Sequence, residues 1–331
     1  MPEKASNQLY YLKFLCIVMI IGLHTVFTEY FAPLSPALVT LNRFVRTIYD
    51  SGISAFFFFS AYLFFRKPRG GYLAVVLSKA KGLLVPYLFW NALMLLYTFV
   101  RQSLTVGHIP AWSLSFLLKS VTVTPINSVL WFVLTLMGFV LLYPLVAWVA
   151  GRAWRVLLVM IVCNVLYYLP QLPVPYETIL HWTPVYVLGA YIGAKRTEWM
   201  ENAPLWRSPL LRACCAAALL GLALIRLYWD GVQYLAWQAT PFLLWGLTGG
   251  LGSLPKAPWW IKASFTLYCS HMLFEHYAVK LYTLALGAGP VSYVAAHALL
   301  PVFCAFLTLI GAAVFRRLLP RLYRLATGER A

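Results

Sequence analysis

Ten apolar runs follow one another along nearly the whole chain, and the segments between them are too short for a sizeable soluble domain. They are Leu9–Phe27, Tyr49–Phe65, Leu83–Val100, Val129–Ala150, Val156–Leu169, His181–Ala194, Leu210–Trp229, Tyr234–Leu251, Ala263–Leu286 and Tyr293–Phe315. Most reach the roughly 20 residues that a helix needs to cross a bilayer. In lipid every backbone N–H and C=O must be satisfied internally, which restricts spanning structures to helices and closed barrels. The runs lack strand-like alternation. The expected fold is therefore all-α, a polytopic membrane helix bundle of about ten transmembrane helices, with residues 1–331 forming a single membrane-embedded domain.

Composition agrees. Charged residues make up 11% of the chain, less than half of the roughly 25% typical of soluble domains, and the mean hydropathy is +0.77. The fifth and sixth runs are short, with Pro170, Pro173 and Pro175 between them, so they are candidates for broken or re-entrant segments. The first run carries Lys13 and His24, and no small-residue cleavage site follows it. It reads as a retained span rather than a signal peptide. All six cysteines fall in apolar stretches without metal-ligand spacing, so buried inert thiols and no metal are expected.

The net charge of +17 would point to nucleic acid in a soluble protein. In a membrane chain the positive-inside rule accounts for it, and no nucleic-acid partner is expected. With the N-terminus in the cytoplasm, nineteen Lys and Arg fall on the inner side and six on the outer, and Lys13 within the first run completes the 26. Both termini are thus expected to be cytoplasmic, in a multi-pass plasma-membrane protein of the bacterial inner-membrane kind. No internal repeat is evident, which weighs against transporters built from two related halves.

Ionisable groups inside spans are costly and mark sites by default. Lys13 and His24 are eleven positions apart, about three helical turns, so they share a face about 16 Å apart along the axis. A cation near one mouth and an imidazole deeper in form a track for a long anionic ligand. Neutral imidazole can take a proton from a hydroxyl at working pH. Arg66 and Arg69 follow the second run, and Lys79 and Lys81 precede the third. Arginine forks suit phosphate oxygens, so this patch is a candidate clamp as well as a stop-transfer signal. In the ninth run His271 and Glu275 form an i, i+4 pair, and Glu275 is the acid nearest the middle of any run. Ser54 and Ser60 read as packing hydroxyls and Trp131 as an interfacial anchor.

Five stretches, in order, resemble acyltransferase family 3. Lys13-x(10)-His24 is similar to that family's Arg/Lys-x(10)-His motif. The segment from Ile53 to Leu63 resembles its Phe-Phe-x-x-Ser-Gly-Tyr-Leu stretch, with Ala61 in the glycine position. Arg66-Lys67-Pro68-Arg69 matches Arg-x-x-Arg. Leu130-Trp131-Phe132 with Tyr143-Pro144, and Leu267-Tyr268-Cys269-Ser270-His271, are similar to two further motifs. The resemblance implies about ten helices and transfer from a cytosolic acyl-CoA, acetyl-CoA or another short acyl-CoA, to a hydroxyl of a sugar or cell-envelope glycan. On that reading His24 is catalytic as base or transient acyl carrier, with Glu275 and His271 beside it. Lys13, Arg66, Arg69, Lys79 and Lys81 bind the donor. Lys13 stands where Arg is commoner, so a bidentate contact is lost there. No extracytoplasmic hydrolase-like domain follows the tenth run, so a second transfer step would call on envelope-biosynthesis partner proteins. Membrane lipids surround the bundle. The competing expectation is a polysaccharide or lipid-linked-sugar exporter that uses the same charges without covalent chemistry.

Overall fold

The computed structural model describes the chain except residues 27, 32, 68, 69, 107–111, 123, 170–173, 203 and 329–331. Among the described residues all regular structure is helical. The first two helices are α1 (Glu3–Thr25) and α2 (Pro36–Phe65). A composite span joins α3 (Tyr72–Lys79) through a π-helical turn, Ala80–Leu84, to α4 (Val85–Val106). Then come α5 (Leu114–Thr122), α6 (Trp131–Leu141), α7 (Tyr143–Ala150), α8 (Ala153–Tyr168), α9 (Ile179–Lys195) and α10 (Thr197–Glu201). The chain closes with α11 (Pro209–Tyr228), α12 (Gln233–Leu247), α13 (Trp259–Lys262), α14 (Ser264–Ser270), α15 (Glu275–Leu286), α16 (Pro290–Leu318) and α17 (Pro320–Thr327).

Each apolar run falls on helix, but the helices are unequal. Among the described residues five are long and apolar enough to cross a membrane: Glu3–Thr25, Pro36–Phe65, Tyr72–Leu104, Pro209–Tyr228 and Pro290–Leu318. The fourth run makes a sixth if α6 and α7, bent by 73° at Leu142, count together. That bend precedes Pro144, whose missing N–H and ring clash disfavour a straight continuation. Breaks were expected in the fifth and sixth runs, yet α8 and α9 are continuous helices of 16 and 17 residues. The interruptions lie instead in the fourth and ninth runs.

Helices α1 and α2 are antiparallel. Gly52 lies against the Cys16 carbonyl, Gly22 against the Tyr49 ring, and Arg46 Nη1 donates to the Leu23 carbonyl at 2.8 Å. Helix α9 lies along α2 at very short range. A Cβ at Gly189 would meet the Phe58 carbonyl, and one at Gly193 would meet that of Tyr62. This Gly-x-x-x-Gly spacing lets two backbones approach inside a membrane, where packing rather than hydrophobicity drives helix association.

The basic segments gather at one end of the bundle. Asn7 of α1 donates to Leu254 O at 2.8 Å, Trp90 Nε1 donates to Ala326 O at 2.9 Å, Arg66 pairs with Glu201, and Lys79 lies 5.3 Å from the Phe64 ring centroid. The chain's N-terminal turn, α17, α10 and the 79–81 region therefore share one face of the molecule. Five of the six cysteines are buried as expected. Cys214 is exposed, because α11 presents most of its surface outward.

Candidate functional site

His24 occupies the last turn of α1, and His271 directly follows α14. Their ring centroids are 5.6 Å apart. Three contacts show that the chain from α13 to the end of α14 advances in the same direction as α1. Lys262 Nζ lies 5.6 Å from the Tyr10 ring, Phe14 meets Trp260 edge-on at 5.4 Å, and His24 meets His271. Two rails therefore run side by side, each with a lysine near the basic end and a histidine toward the other. Lys13 Nζ also sits over Tyr10, at 5.9 Å. The sequence pattern named Lys13. It passed over Lys262, which belongs to the site region only through this parallel packing.

His271 is fully buried. Its Nδ1 meets two carbonyl oxygens, Tyr268 O at 2.8 Å and Leu267 O at 3.1 Å. Carbonyls only accept, so Nδ1 carries the proton and Nε2 keeps the lone pair. That Nε2 is buried and has no hydrogen-bond partner among the described residues. Beside the pair lies a cleft with about 310 Å³ of empty space, lined by Ile20, His24, Ile53, Trp131, Phe132 and Tyr268 among others. Aromatic walls with a few polar groups are the usual lining of small-molecule sites. Tyr268 is tied down by donating its hydroxyl to Val129 O, so one wall is rigid. Trp131, expected as an interfacial anchor, forms part of this wall.

The α-helical face expected to unite His271 and Glu275 does not exist. A 3₁₀ turn at His271–Leu273 and a further turn at Phe274 interrupt the helix, and Glu275 opens α15. Sequence spacing assumed one continuous helix. An acid in the first turn of a helix meets the positive end of the dipole. Glu275 Oε2 is buried without a hydrogen-bond partner, and no hydrogen bond joins Glu275 to His271 among the described residues. The neighbouring His276 pairs instead with the Tyr30 hydroxyl.

Arg66 ends α2, and Glu201, the last residue of α10, holds it in an ion pair. The antiparallel register of α1 and α2 places Lys13 at a level between His24 and Arg66. Ile53 lines the cleft and Arg66 follows thirteen residues later on the same helix, about 20 Å along the axis. Lys79 lies against Phe64, and Lys81 is exposed on the π-helical turn. Arg69 lies outside the described residues.

A second polar cluster was not foreseen. Asp50 is the second residue of the second apolar run, but α2 begins at Pro36, so Asp50 lies in mid-helix. Its carboxylate accepts from the Tyr176 hydroxyl at 3.0 Å and the Gln233 amide at 2.8 Å, with Arg226 Nη1 3.6 Å away. Arg226 Nη1 also donates to Thr47 Oγ1 at 3.2 Å. Pro36 at the first helical position was the signal that could have extended α2 and exposed this pairing.

Apolar helices thus enclose an aromatic cleft that His24 lines, with His271 beside His24. The family model for the acyltransferase domain matches residues 7–317. The chain belongs to acyltransferase family 3 and is an integral membrane acyltransferase by that membership. It is 24% identical over 363 residues to the succinoglycan biosynthesis protein ExoH of Rhizobium meliloti (strain 1021), a comparison that covers all of this chain and 94% of the relative. No solved structure matches it significantly.

Proposed function

We propose that this protein is an O-acyltransferase that moves an acetyl or other short acyl group from cytosolic acyl-CoA to a hydroxyl of a cell-envelope glycan. The observation that carries the reading is the pairing of His24 with His271 at a cleft, 5.6 Å apart, with one imidazole lone pair left open. His24 itself lines the cleft, so a substrate hydroxyl entering there meets its imidazole, with His271 packed beside it. The relative's part in succinoglycan biosynthesis favours a glycan acceptor.

On this reading Arg66, with Arg69, Lys79 and Lys81, holds the donor's phosphates at the basic end. That end faces the cytoplasm, as the charge bias requires. The pantetheine arm follows the two rails past Lys13 and Lys262, and the thioester reaches the cleft. His24, flanked by His271, removes the acceptor hydroxyl proton. The oxygen attacks the thioester carbonyl, a C–O bond forms, the C–S bond breaks, and the CoA thiolate takes the proton back from the imidazolium. Glu275 acts from the start of α15 on the acceptor side. All ten helical runs belong to the membrane domain, with both termini in the cytoplasm of a bacterial cell.

The test is transfer of labelled acetyl from acetyl-CoA to an envelope glycan fraction by the purified protein in liposomes. Transfer that disappears in His24→Ala supports the reading. Glycan movement across the bilayer with no acetyl-CoA consumed supports the exporter instead.

A further inference from the structure

Tyr62 and Arg66 sit one turn apart at the end of α2, and both reach Glu201. Arg66 Nε donates to Oε1, Arg66 Nη2 donates to Oε2 at 3.1 Å, and the Tyr62 hydroxyl donates to Oε1 at 2.6 Å. The Glu201 side chain is only 7% exposed and that of Arg66 19%. A guanidinium offers two edges that can grip an anion bidentately, a lateral one (Nε with Nη2) and a terminal one (Nη1 with Nη2). Glu201 takes the lateral edge. The terminal edge has no acceptor among the described residues.

Glu201 is itself held in place. Trp245 Nε1 donates to Met200 O at 3.1 Å, which pins the preceding residue of α10 to α12. Eight residues earlier, α9 is fixed to α2 by the Gly193 contact on the Tyr62 carbonyl. The carboxylate is therefore set by α9 and α12, both of which pack directly on α2. An arginine gripped this way loses little further freedom when its remaining edge meets an anion.

We propose that Glu201 is the positioning residue of the donor clamp. It locks Arg66 by the lateral edge so that the terminal edge is presented to the nucleotide phosphates of acyl-CoA. This rests on the reading above that Arg66 meets those phosphates. Glu201→Gln keeps the size and one acceptor, but it faces the Arg66 Nη2 donor with an amide that cannot accept from it. The guanidinium is then free to turn.

The experiment compares two donors in liposomes, acetyl-CoA and acetyl-pantetheine, which lacks the nucleotide and its phosphates. Calorimetric binding of CoA and pantetheine runs alongside. Glu201→Gln raises KM for acetyl-CoA and Kd for CoA about tenfold, as expected for loss of one charge-assisted contact. Its kcat and its KM for acetyl-pantetheine stay within about twofold of wild type. Tyr62→Phe, which leaves the ion pair in place, gives a smaller rise of the same kind, and carries the test if Glu201→Gln does not accumulate. An equal loss with both donors, or no rise for acetyl-CoA or CoA, overturns the proposal. A wild type that binds CoA tightly through Glu201 yet transfers no acetyl would contradict the acyltransfer reading and leave the positioning role intact. A wild type that does not bind CoA sinks both.

Discussion

Two polar sites lie inside the bundle, separated by a row of three indoles, and they are finished to different degrees. Trp131 stands 6.2 Å from Trp182, and Trp182 5.2 Å from Trp237. On the Trp237 side both Asp50 oxygens are engaged, by Tyr176, Gln233 and Arg226 from three other segments. On the Trp131 side His271 is anchored through one nitrogen, and the other is left without a partner beside a cleft. A carboxylate with both oxygens engaged holds helices in register, although Arg226 Nε beside it is buried without a hydrogen-bond partner among the described residues, whereas an open imidazole valence costs free energy that folding alone does not recover. The proposed function puts the chemistry at the histidine pair, and the engaged Asp50 carboxylate then serves the packing of α2, α11 and α12.

Mutation separates the two assignments. His24→Ala should lower acetyl transfer by about 10²- to 10⁴-fold, the usual range for a lost general base, while size-exclusion behaviour and thermal unfolding stay near wild type. Asp50→Asn should do the reverse. It leaves the Arg226 guanidinium without its counter-charge and should destabilise the fold by about 3 kcal/mol, with specific activity retained in the fraction that folds. A large activity loss in well-folded Asp50→Asn would erase the distinction.

Smaller effects sharpen it. Gly193→Ala drives a methyl into the Tyr62 carbonyl, and misfit of this kind costs about 1–3 kcal/mol. A lowered unfolding temperature without a change in donor preference is the expected result. Ser54→Ala removes the donor that ties α2 to the Trp237 carbonyl and should cost about 1 kcal/mol in stability with activity preserved.

The smallest effect concerns pH. Burial pushes the Glu201 carboxyl up, but hydrogen bonds from Arg66 and Tyr62 and the Arg66 charge outweigh it, so the group is held below the ordinary carboxylate range. A depressed folded-state value stabilises above the ordinary value, about 4.3, and that contribution disappears only as pH falls through the lower one. KM for acetyl-CoA should therefore be flat between about pH 6 and 8, where the clamp stays ionised. A steep rise in KM across that window would show that Glu201 is not held as the ion pair requires.

Residues one helix apart were legible in the sequence where the helix is regular. Lys13 and His24 share α1, an unbroken helix of 23 residues, so counting turns was enough to put them on one face. His271 and Glu275 defeated the same arithmetic, because the helix breaks between them. The partners of His24 and Arg66 come from segments about 250 and 135 positions away, and no local periodicity reports on such pairings. Lys262 and Glu201 are ordinary loop charges until packing brings α13 beside α1 and α10 beside the end of α2. The apolar runs gave the helical class, but run length alone could not say that the fourth bends by 73°.

The most direct measurement is a cryo-electron-microscopy structure with a hydrolysis-resistant acetyl-CoA analogue. The account predicts its phosphates on the terminal edge of Arg66, its arm beside Lys13, and its carbonyl between His24 and His271 within hydrogen-bond reach of an imidazole nitrogen. An analogue seated at the Asp50–Arg226 cluster, or one whose carbonyl stops short of the Trp131 cleft, would contradict it.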